Sequence, residues 1–387
     1  MRTAVVSDLH LGIGSAADLL RRDEILEALI AALDGTDRVV LLGDVLELRD
    51  RPLTEALAAA RPVLGRLGTQ LGGAEIVVVP GNHDHHLIEE WLLRRAVEGE
   101  TALELEHRGV PETGALATLA EQAAPAPLSF AYPGIWLRDD VYATHGHYLD
   151  RHQTIPTLER LGVGLVERLL GTPPGGPDPL APPEDAEAAE VAEYERVQAP
   201  VYAFLFALAQ ATVGERSGGA DPSVRVWQML SGKPTSRTAR VRGWLLGSVA
   251  IPGAVGVANR LGLGPVGSDL SPRAITSAAL AAMSEVIERL RIDADHVIFG
   301  HTHRRGPNGD EPGWEAGETR LWNTGSWVHS PALLGPTAAR SPYWPGTVGF
   351  VDEEGPPRLL HLLDDLSREQ LAGTDSAAGI DSGPGPG

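Results

Sequence analysis

The sequence predicts an α/β fold (α+β in some schemes) with a mixed sheet, on three observations. Short runs rich in Val and Ile recur along the chain, and amphipathic patterns of helical period separate the first three runs. A hairpin pattern then precedes a long segment that lacks strand signals. Short apolar runs bounded by polar or glycine residues are typical of buried strands, and alternating strands and helices are typical of α/β proteins.

The predicted elements follow in chain order. Seven apolar runs are assigned as strands: Thr3–Val6, Val39–Leu42, Ile76–Val79, Val141–Ala143, Val297–Phe299, Leu321–Trp322 and Val348–Val351. Helical patterns cover Ala16–Leu33 and, more weakly, Leu53–Leu71, where Pro62 and glycines interrupt the pattern. The hairpin over 134–143 has Asp139-Asp140 at its turn, which predicts an antiparallel pair within the sheet.

The 387 residues divide into an enzyme-like core and an insertion. Strand signals occupy residues 1–150 and 291–366, whereas residues 151–290 are predominantly helical and are predicted to form a cap insertion. Within it, residues 172–190 are rich in Pro, Gly, Ala and acidic residues, which predicts an exposed linker. The tail 367–387 is predicted to be disordered.

Composition excludes several classes of protein. The chain has no cysteine, which excludes disulfide frameworks and thiolate metal sites. With 32 Lys+Arg against 52 Asp+Glu, its net charge of −20 argues against a binder of genomic nucleic acid, which needs a basic surface. The N-terminal residues contain no signal-peptide pattern, so a cytoplasmic location is predicted.

Residue types that bind metals follow five of the predicted strands. The segments that end these strands are Ser7-Asp8-Leu9-His10, Gly43-Asp44, Pro80-Gly81-Asn82-His83-Asp84, Thr144-His145-Gly146-His147 and Gly300-His301-Thr302-His303. The carboxyl ends of strands form the functional edge of open α/β sheets, so these side chains are expected to converge.

The residue types and their spacing favour a metal site. In Asp8-x-His10 and His301-x-His303, a period of two points both side chains to one side of an extended chain. Carboxylate, amide and imidazole ligands without sulfur suit Mn, Fe or Zn. Seven ligands are too many for one tetrahedral ion but fit two ions if Asp44, alone at its strand end, bridges them. The seven are Asp8, His10, Asp44, Asn82, His145, His301 and His303.

These motifs resemble the calcineurin-like metallophosphoesterases, whose pattern is Asp-x-His, Gly-Asp, Gly-Asn-His-Asp/Glu, His-Gly and Gly-His-x-His. All five stand here in that order, and Asn323-Thr324-Gly325-Ser326 resembles the family's strand after the last motif. The resemblance covers about residues 1–150 and 291–365. It implies a four-layer αββα sandwich of mixed sheets, interrupted here by a helical cap.

The resemblance also implies a role for each motif residue. One ion would be held by Asp8, His10, Asp44 and His303, and the second by Asp44, Asn82, His145 and His301. Mn, Fe and Zn all suit these ligands, with Mn expected to be effective in vitro. A bridging hydroxide would attack phosphorus, His83 would protonate the leaving oxygen, and Asp84 would orient His83.

Other polar residues beside the motifs have two interpretations each. His147 could contact the substrate or have a purely structural role. Arg304 and Arg305 could bind an anionic substrate or lie in a solvated loop. His85 and His86 are expected in the polar first turn of a helix.

The insertion contains two uncharged stretches, Val197–Gly214 and Gly243–Asn259. A buried cap helix, an apolar chamber or interfacial surface for a lipid-like substrate, and a membrane span remain open. Between the two stretches, a basic segment with Arg225, Lys233 and Arg242 could contact anionic headgroups or a nucleotide diphosphate, or form a solvated helix face. Peripheral membrane contact through 197–266 is therefore an alternative location.

The predicted function is hydrolysis of a phosphomonoester, phosphodiester or pyrophosphate by a binuclear metal enzyme. One alternative is a membrane-surface hydrolase of a lipid or nucleotide-sugar diphosphate, because the cap beside such a site resembles the UDP-diacylglucosamine hydrolases, although these carry arginine where His83 stands. A remote alternative is a metal-bound scaffold without turnover. The expected partner is a phosphorylated small molecule or lipid-like substrate, and the oligomeric state is left open.

Overall fold

The computed structural model describes residues 1–171, 186–211, 251–269, 271–309, 311–331, 333–334 and 341–373. Most of the predicted linker, the basic segment around Lys233 and residues 374–387 of the predicted tail fall outside the described residues. Residues 367–373 of that tail are ordered, contrary to the prediction, because Ser367 caps the helix Arg368–Ala372 and Leu371 is buried.

The described residues form strands, α-helices and two short 3-10 helices. The strands are Thr3–Val6 (β1), Arg38–Leu42 (β2), Glu75–Val79 (β3), Glu106–Gly109 (β4), Leu128–Arg138 (β5), Val141–Thr144 (β6), His296–Phe299 (β7), Glu315–Ala316 (β8), Thr319–Asn323 (β9), Thr347–Val351 (β10) and Arg358–His361 (β11). The α-helices are Asp23–Ala32 (α1), Leu53–Leu71 (α2), His86–Glu98 (α3), Gly114–Ala123 (α4), Leu158–Leu170 (α5), Ala186–Ala211 (α6), Ile251–Arg260 (α7), Pro272–Leu290 (α8) and Arg368–Ala372 (α9). The 3-10 helices are Leu19–Arg21 and His147–Arg151.

The strands form one mixed sheet in the order β11-β10-β1-β2-β3-β5-β6-β7-β9-β8, with β4 paired to β5. Strands β1, β2 and β3 are parallel to one another, as are β6, β7 and β9. The long strand β5 pairs with β3 through its first residues and with β6 through its last. The sheet therefore curls at β5 into two halves, and the predicted hairpin between β5 and β6 is confirmed.

Alternating side chains of β1 show how the layers stack. Ala4 and Val6 pack in a cluster with α1, α2 and α4, whereas Val5 packs against Ile135 and Ile298 of the other half of the sheet. The outer face of that other half contacts α8 through side chains such as Met283. Two helical layers thus enclose two sheet layers, which confirms the predicted αββα sandwich.

The described part of 151–290 is helical and comprises α5 to α8. Helices α5 and α6 pack around Val163 and Val197, while α8 covers the second half of the sheet. Among the described residues, no helix combines the length and the apolar character needed to span a membrane.

Candidate metal centre

The predicted ligands meet at one edge of the curled sheet. Asp8 and His10 follow β1, Asp44 follows β2 and Asn82 follows β3. From the other half of the sheet, His145 follows β6, while His301 and His303 follow β7. Because each set of strands is parallel, the carboxyl ends lie side by side and the loops project toward one another.

The backbone at the ligands adopts an unusual conformation. The φ angles of Asp8, His10, Asp44, His301 and His303 lie between 46° and 65°, in the left-handed region. This region is uncommon for residues other than glycine and costs free energy unless the surrounding structure enforces it. Five of the seven non-glycine residues with positive φ in the described chain are thus predicted ligands, which indicates that strain is concentrated at the site.

Glycines at the strand ends permit the close approach of these loops. A Cβ on Gly43 would lie 2.1 Å from His145 Nδ1, and one on Gly300 would lie 2.4 Å from Asp8 Oδ2. At Gly81 it would lie 2.3 Å from Asp44 Oδ1. Any side chain at these positions would force two ligand loops apart.

The ligand atoms form two groups that share Asp44. In the first group, His303 Nε2 lies 3.3 Å from Asp8 Oδ1 and 3.1 Å from His10 Nε2, which lies 3.7 Å from Asp44 Oδ2. In the second, the same Asp44 oxygen lies 3.3 Å from His145 Nε2. Asn82 Oδ1 completes the second group, 3.1 Å from both His145 Nε2 and His301 Nδ1.

Three of the four histidines are oriented through their second ring nitrogen. His10 Nδ1 donates to Glu47 at 2.9 Å, His145 Nδ1 donates to the carbonyl oxygen of Leu42 at 3.0 Å, and His301 Nε2 donates to Asp150 at 3.0 Å. In the neutral imidazole the other nitrogen is then a lone-pair acceptor. Metal-binding histidines are oriented in this way in proteins.

The donor set therefore fits divalent cations. With these tautomers, lone pairs of nitrogen and oxygen face one another across 3.1 to 3.7 Å within each group. Such an arrangement of acceptors is unfavourable unless a cation or protons lie between them.

The orientation of the Asn82 side-chain amide depends on whether a cation is bound. With Oδ1 toward His145 and His301, its nitrogen faces the guanidinium of Arg49; with the amide rotated, its oxygen accepts from Arg49 Nη1 at 3.2 Å and Nη2 at 2.8 Å. The rotated amide suits a metal-free site in which both imidazoles are neutral, because its nitrogen then donates to them. Only the first orientation presents an oxygen ligand.

The carboxylates set the electrostatics of the site. Burial disfavours charged His10, but its contact with Glu47 and the charge of Asp44 outweigh burial and raise the pKa of His10 to about 10. Burial also opposes a charged His145, yet Asp44 raises its pKa to about 9. Burial would raise the pKa of Asp44, but the charges of His145 and His83 hold it well below its usual value. The same negative field that attracts protons attracts divalent cations.

His83 lies beside the metal-ligand groups but is held by a different partner from the one that the resemblance implies. Its Nδ1 lies 2.9 and 2.8 Å from the two carboxylate oxygens of Glu47, and its backbone amide donates to Asp44 at 2.8 Å. Although burial lowers the pKa of His83, the charge of Glu47 raises it above its ordinary value. The contact with Glu47 therefore favours the protonated form of His83.

The expectation that Asp84 orients His83 is corrected by these contacts. The buried carboxylate of Asp84 accepts hydrogen bonds from the backbone amides of Gly81, Asp44, Val45 and Leu46 at 2.7 to 3.3 Å. It joins the loop after β3 to the loop after β2, and so positions Asp44. Glu47 takes the role of orienting His83.

Sequence reasoning missed Glu47, Arg49 and Asp150. None of them directly follows a strand: Glu47 and Arg49 reach the site from the loop after β2, and Asp150 from the 3-10 helix His147–Arg151. The one available signal was the position of Glu47 three residues after Asp44, within a buried segment that contains no other acid until Asp50.

The structure places the remaining candidates as follows. His147 is buried among Tyr132, Tyr148 and Tyr202, and burial lowers its pKa well below the ordinary value. Its ring centroid lies 5.6 Å from that of the predicted ligand His145. Arg304 lines a cavity beside the ligands.

The three other candidates differ in their surroundings. Arg305 pairs with Asp364 at 2.5 Å and is buried, which excludes the solvated-loop interpretation. His86 opens α3 as expected and stacks on Phe206. His85 is buried instead, with Nε2 2.9 Å from Glu195 of α6.

Comparison with known proteins agrees with this site. The sequence profile described as calcineurin-like phosphoesterase matches residues 1–181. The resemblance carried by the motifs is thus confirmed over these residues. The chain is accordingly a metal-dependent phosphoester hydrolase. The motif with His301 and His303 lies beyond the matched residues, but the fold brings it to the same site.

Two solved structures resemble the chain more distantly. A cold-active protein-tyrosine phosphatase of a psychrophilic Shewanella species is 12% identical, with 93% of this chain and 80% of that chain covered and a TM-score of 0.29. A dimetal phosphatase from Danio rerio is 12% identical, with 94% and 99% covered and a TM-score of 0.32. These scores are too low to support the assignment, and no curated protein matches the sequence.

Proposed function

We propose that this chain is a binuclear metallophosphoesterase that hydrolyses a phosphomonoester, phosphodiester or pyrophosphate. The observation that carries the proposal is the pair of ligand groups that share Asp44, with His83 beside them. A metal-bound scaffold without turnover would have no need of a proton donor such as His83.

Seven side chains would hold two divalent ions, of which Mn, Fe and Zn suit the ligands. Asp8, His10, Asp44 and His303 would hold one ion, and Asp44, Asn82, His145 and His301 the other. When bound, the ions would supply positive charge to the phosphoryl oxygens and lower the pKa of the attacking water.

His83 supplies the proton that the leaving oxygen needs. Glu47 fixes Nδ1, so the proton available for transfer is on Nε2, which lies 3.4 Å from Arg49 Nη1. The adjacent guanidinium is anchored by Glu159 of α5 at 2.7 Å and adds positive charge where a phosphoryl group carries negative charge. After transfer, the negative charge of Glu47 favours reprotonation of the imidazole.

The test is a panel of aryl monoesters, aryl diesters and pyrophosphates assayed with Mn-loaded protein. We expect Asp44→Asn to lower kcat/KM at least 1000-fold, whereas Asp352→Asn on the surface leaves it unchanged. Equal rates for wild-type protein and Asp44→Asn, or no turnover of any ester by loaded protein, would refute the proposal.

Contact with a lipid surface is a second proposal, because several apolar side chains of the insertion helices are exposed. Leu169 of α5 is 75% exposed, Phe204 of α6 is 66% exposed and Val257 of α7 is 55% exposed. Such side chains favour an interfacial location and a lipid-like substrate. Sedimentation with anionic vesicles tests this: wild-type protein should pellet and Leu169→Glu/Phe204→Glu should not. Equal partitioning would reject membrane contact and leave a cytoplasmic location.

A further inference from the structure

A cavity of about 310 Å³ lies directly over the candidate metal centre. Six of the residues that line it belong to the site already described: His10, Asp44, Asn82, His83, His301 and His303. A substrate with its phosphoryl group at the ligands would therefore place its organic group in the rest of this space.

The walls of the cavity away from the ligands are largely apolar. Helix α8 contributes Ile275, Ala279 and Leu280, and the segments after β7 and β9 contribute Trp314 and Leu333. Apolar walls with few polar groups are typical of sites that bind the hydrophobic part of a ligand. The walls thus favour an aryl or alkyl group over a sugar.

Most polar side chains on these walls already have partners within the protein. Thr157 caps α5 by accepting from the amide of Arg160 at 3.0 Å, and Glu159 binds Arg49 at 2.7 Å. Gln153 donates to Asp150 at 3.1 Å. They therefore leave few groups free to recognise a ligand.

Two described wall residues keep buried polar atoms without partners, Asp150 through Oδ2 and Arg304; of the two, Arg304 is the donor. It is only 8% exposed, and its Nη2 donates to Glu311, but Nε and Nη1 are buried without a hydrogen-bond partner. The guanidinium lies over the ring of Trp314, with its carbon 5.3 Å from the ring centroid, which fixes its position at the wall. Buried donors without partners cost free energy, so two such N–H groups at a cavity wall point to an acceptor from a ligand.

The volume accommodates a small organic group. At about 30 Å³ for each water molecule, the cavity corresponds to roughly ten waters. One substituted ring or a short chain fits this space.

From these observations we infer that the substrate is a phosphate ester of a compact, apolar alcohol that bears an oxygen acceptor, which Arg304 binds. This inference rests on the proposed phosphoesterase function and specifies its substrate class. A carboxylate and a neutral carbonyl both provide the acceptor, and Arg304 would favour the carboxylate because a charged hydrogen bond is the stronger one.

Binding of phosphonates, which are not hydrolysed, tests the inference separately from turnover. Isothermal titration of Mn-loaded protein would compare benzylphosphonate, 4-acetylbenzylphosphonate and 4-carboxybenzylphosphonate. We expect wild-type protein to bind the carboxylated ligand about tenfold more tightly than the parent, with the acetyl ligand between them. In Arg304→Met this preference should disappear, and Arg304→Lys should restore part of it.

Arg305→Gln is the matched control, because Arg305 is an equally buried neighbour that pairs with Asp364 and does not line the cavity. It should retain the tenfold preference. Equal affinity for all three ligands in wild-type protein, or an unchanged preference in Arg304→Met, would overturn the inference. Ester hydrolysis with no such preference would overturn it while leaving the phosphoesterase proposal intact.

Discussion

The Nδ1 atom of His145 lies 3.0 Å from the carbonyl oxygen of Leu42, the last residue of β2. Because a carbonyl oxygen can only accept, this contact fixes the tautomer and turns the lone pair of Nε2 toward Asp44. One hydrogen bond thus joins the two halves of the sheet at the residue that both metal-ligand groups share.

Gly43→Ala should disrupt this hydrogen bond between the two halves of the sheet. A Cβ would lie 2.1 Å from His145 Nδ1, and the φ of +80° adds backbone strain. Gly35→Ala is a matched control, because Gly35 has a φ of +70° but no atom within 4 Å of the added Cβ. We expect Gly35→Ala to cost about 1 kcal/mol of unfolding free energy. Gly43→Ala should cost more and also weaken Mn binding at least tenfold; equal metal affinity in both variants would contradict the account.

Metal binding should release protons. Without metal, the pKa of His10 is about 10 and that of His145 about 9, so both are protonated at pH 7.5. A metal ligand must be neutral, so loading both ions should release about two protons from these residues. The release can be measured with a pH indicator in weak buffer. It should fall by about one proton in His10→Ala, and metal uptake without proton release would contradict the assigned ligands.

Glu47→Gln should shift the pH profile of catalysis. The charge of Glu47 raises the pKa of His83, so its removal lowers that pKa. A general acid works only while protonated, and the loss of kcat at alkaline pH should therefore begin at lower pH in the variant. The loss of kcat at alkaline pH should be larger for alkyl esters, whose leaving groups need the proton more. Glu55→Gln, on an exposed residue, is the control; identical alkaline limbs in all three proteins would refute this role.

His152 should make the protein sensitive to acid. Burial, reinforced by Arg289 and Arg151, lowers its pKa from 6.5 to about 3. Below pH 6.5 the unfolded chain therefore binds a proton that the folded chain does not, and stability is lost as pH falls toward 3, by up to about 1.4 kcal/mol per pH unit. The free energy of unfolding can be measured with urea at pH 7.5 and at pH 5.5. Between these two pH values it should fall by about 1 kcal/mol less in His152→Gln than in wild-type protein. Equal losses would show that His152 is not the titrating group.

The sequence was sufficient to predict the fold class and to bring all seven candidate ligands together. Each of them lies one to four residues after the end of a strand, and the ends of parallel strands must meet at one edge. Asp8 and His10 could therefore be paired with His301 and His303 across nearly 300 residues.

Contacts that depend on the turn geometry could not be predicted from the sequence. Glu47 reaches His10 and His83 only because the chain after Asp44 folds back against β1, where Glu47 N donates to the carbonyl oxygen of Leu11. The hydrogen bonds of Asp84 with three consecutive amides likewise require that turn. The substrate cavity could not be predicted either, since Ile155, Ile275 and Trp314 come from separate segments.

The number of metal ions bound per chain tests the central claim most directly. After loading with Mn and removal of free metal, elemental analysis should give two ions per chain for wild-type protein and fewer than one for Asp44→Asn, because both groups of ligands share that carboxylate. No bound metal in wild-type protein, or two ions in Asp44→Asn, would contradict the account.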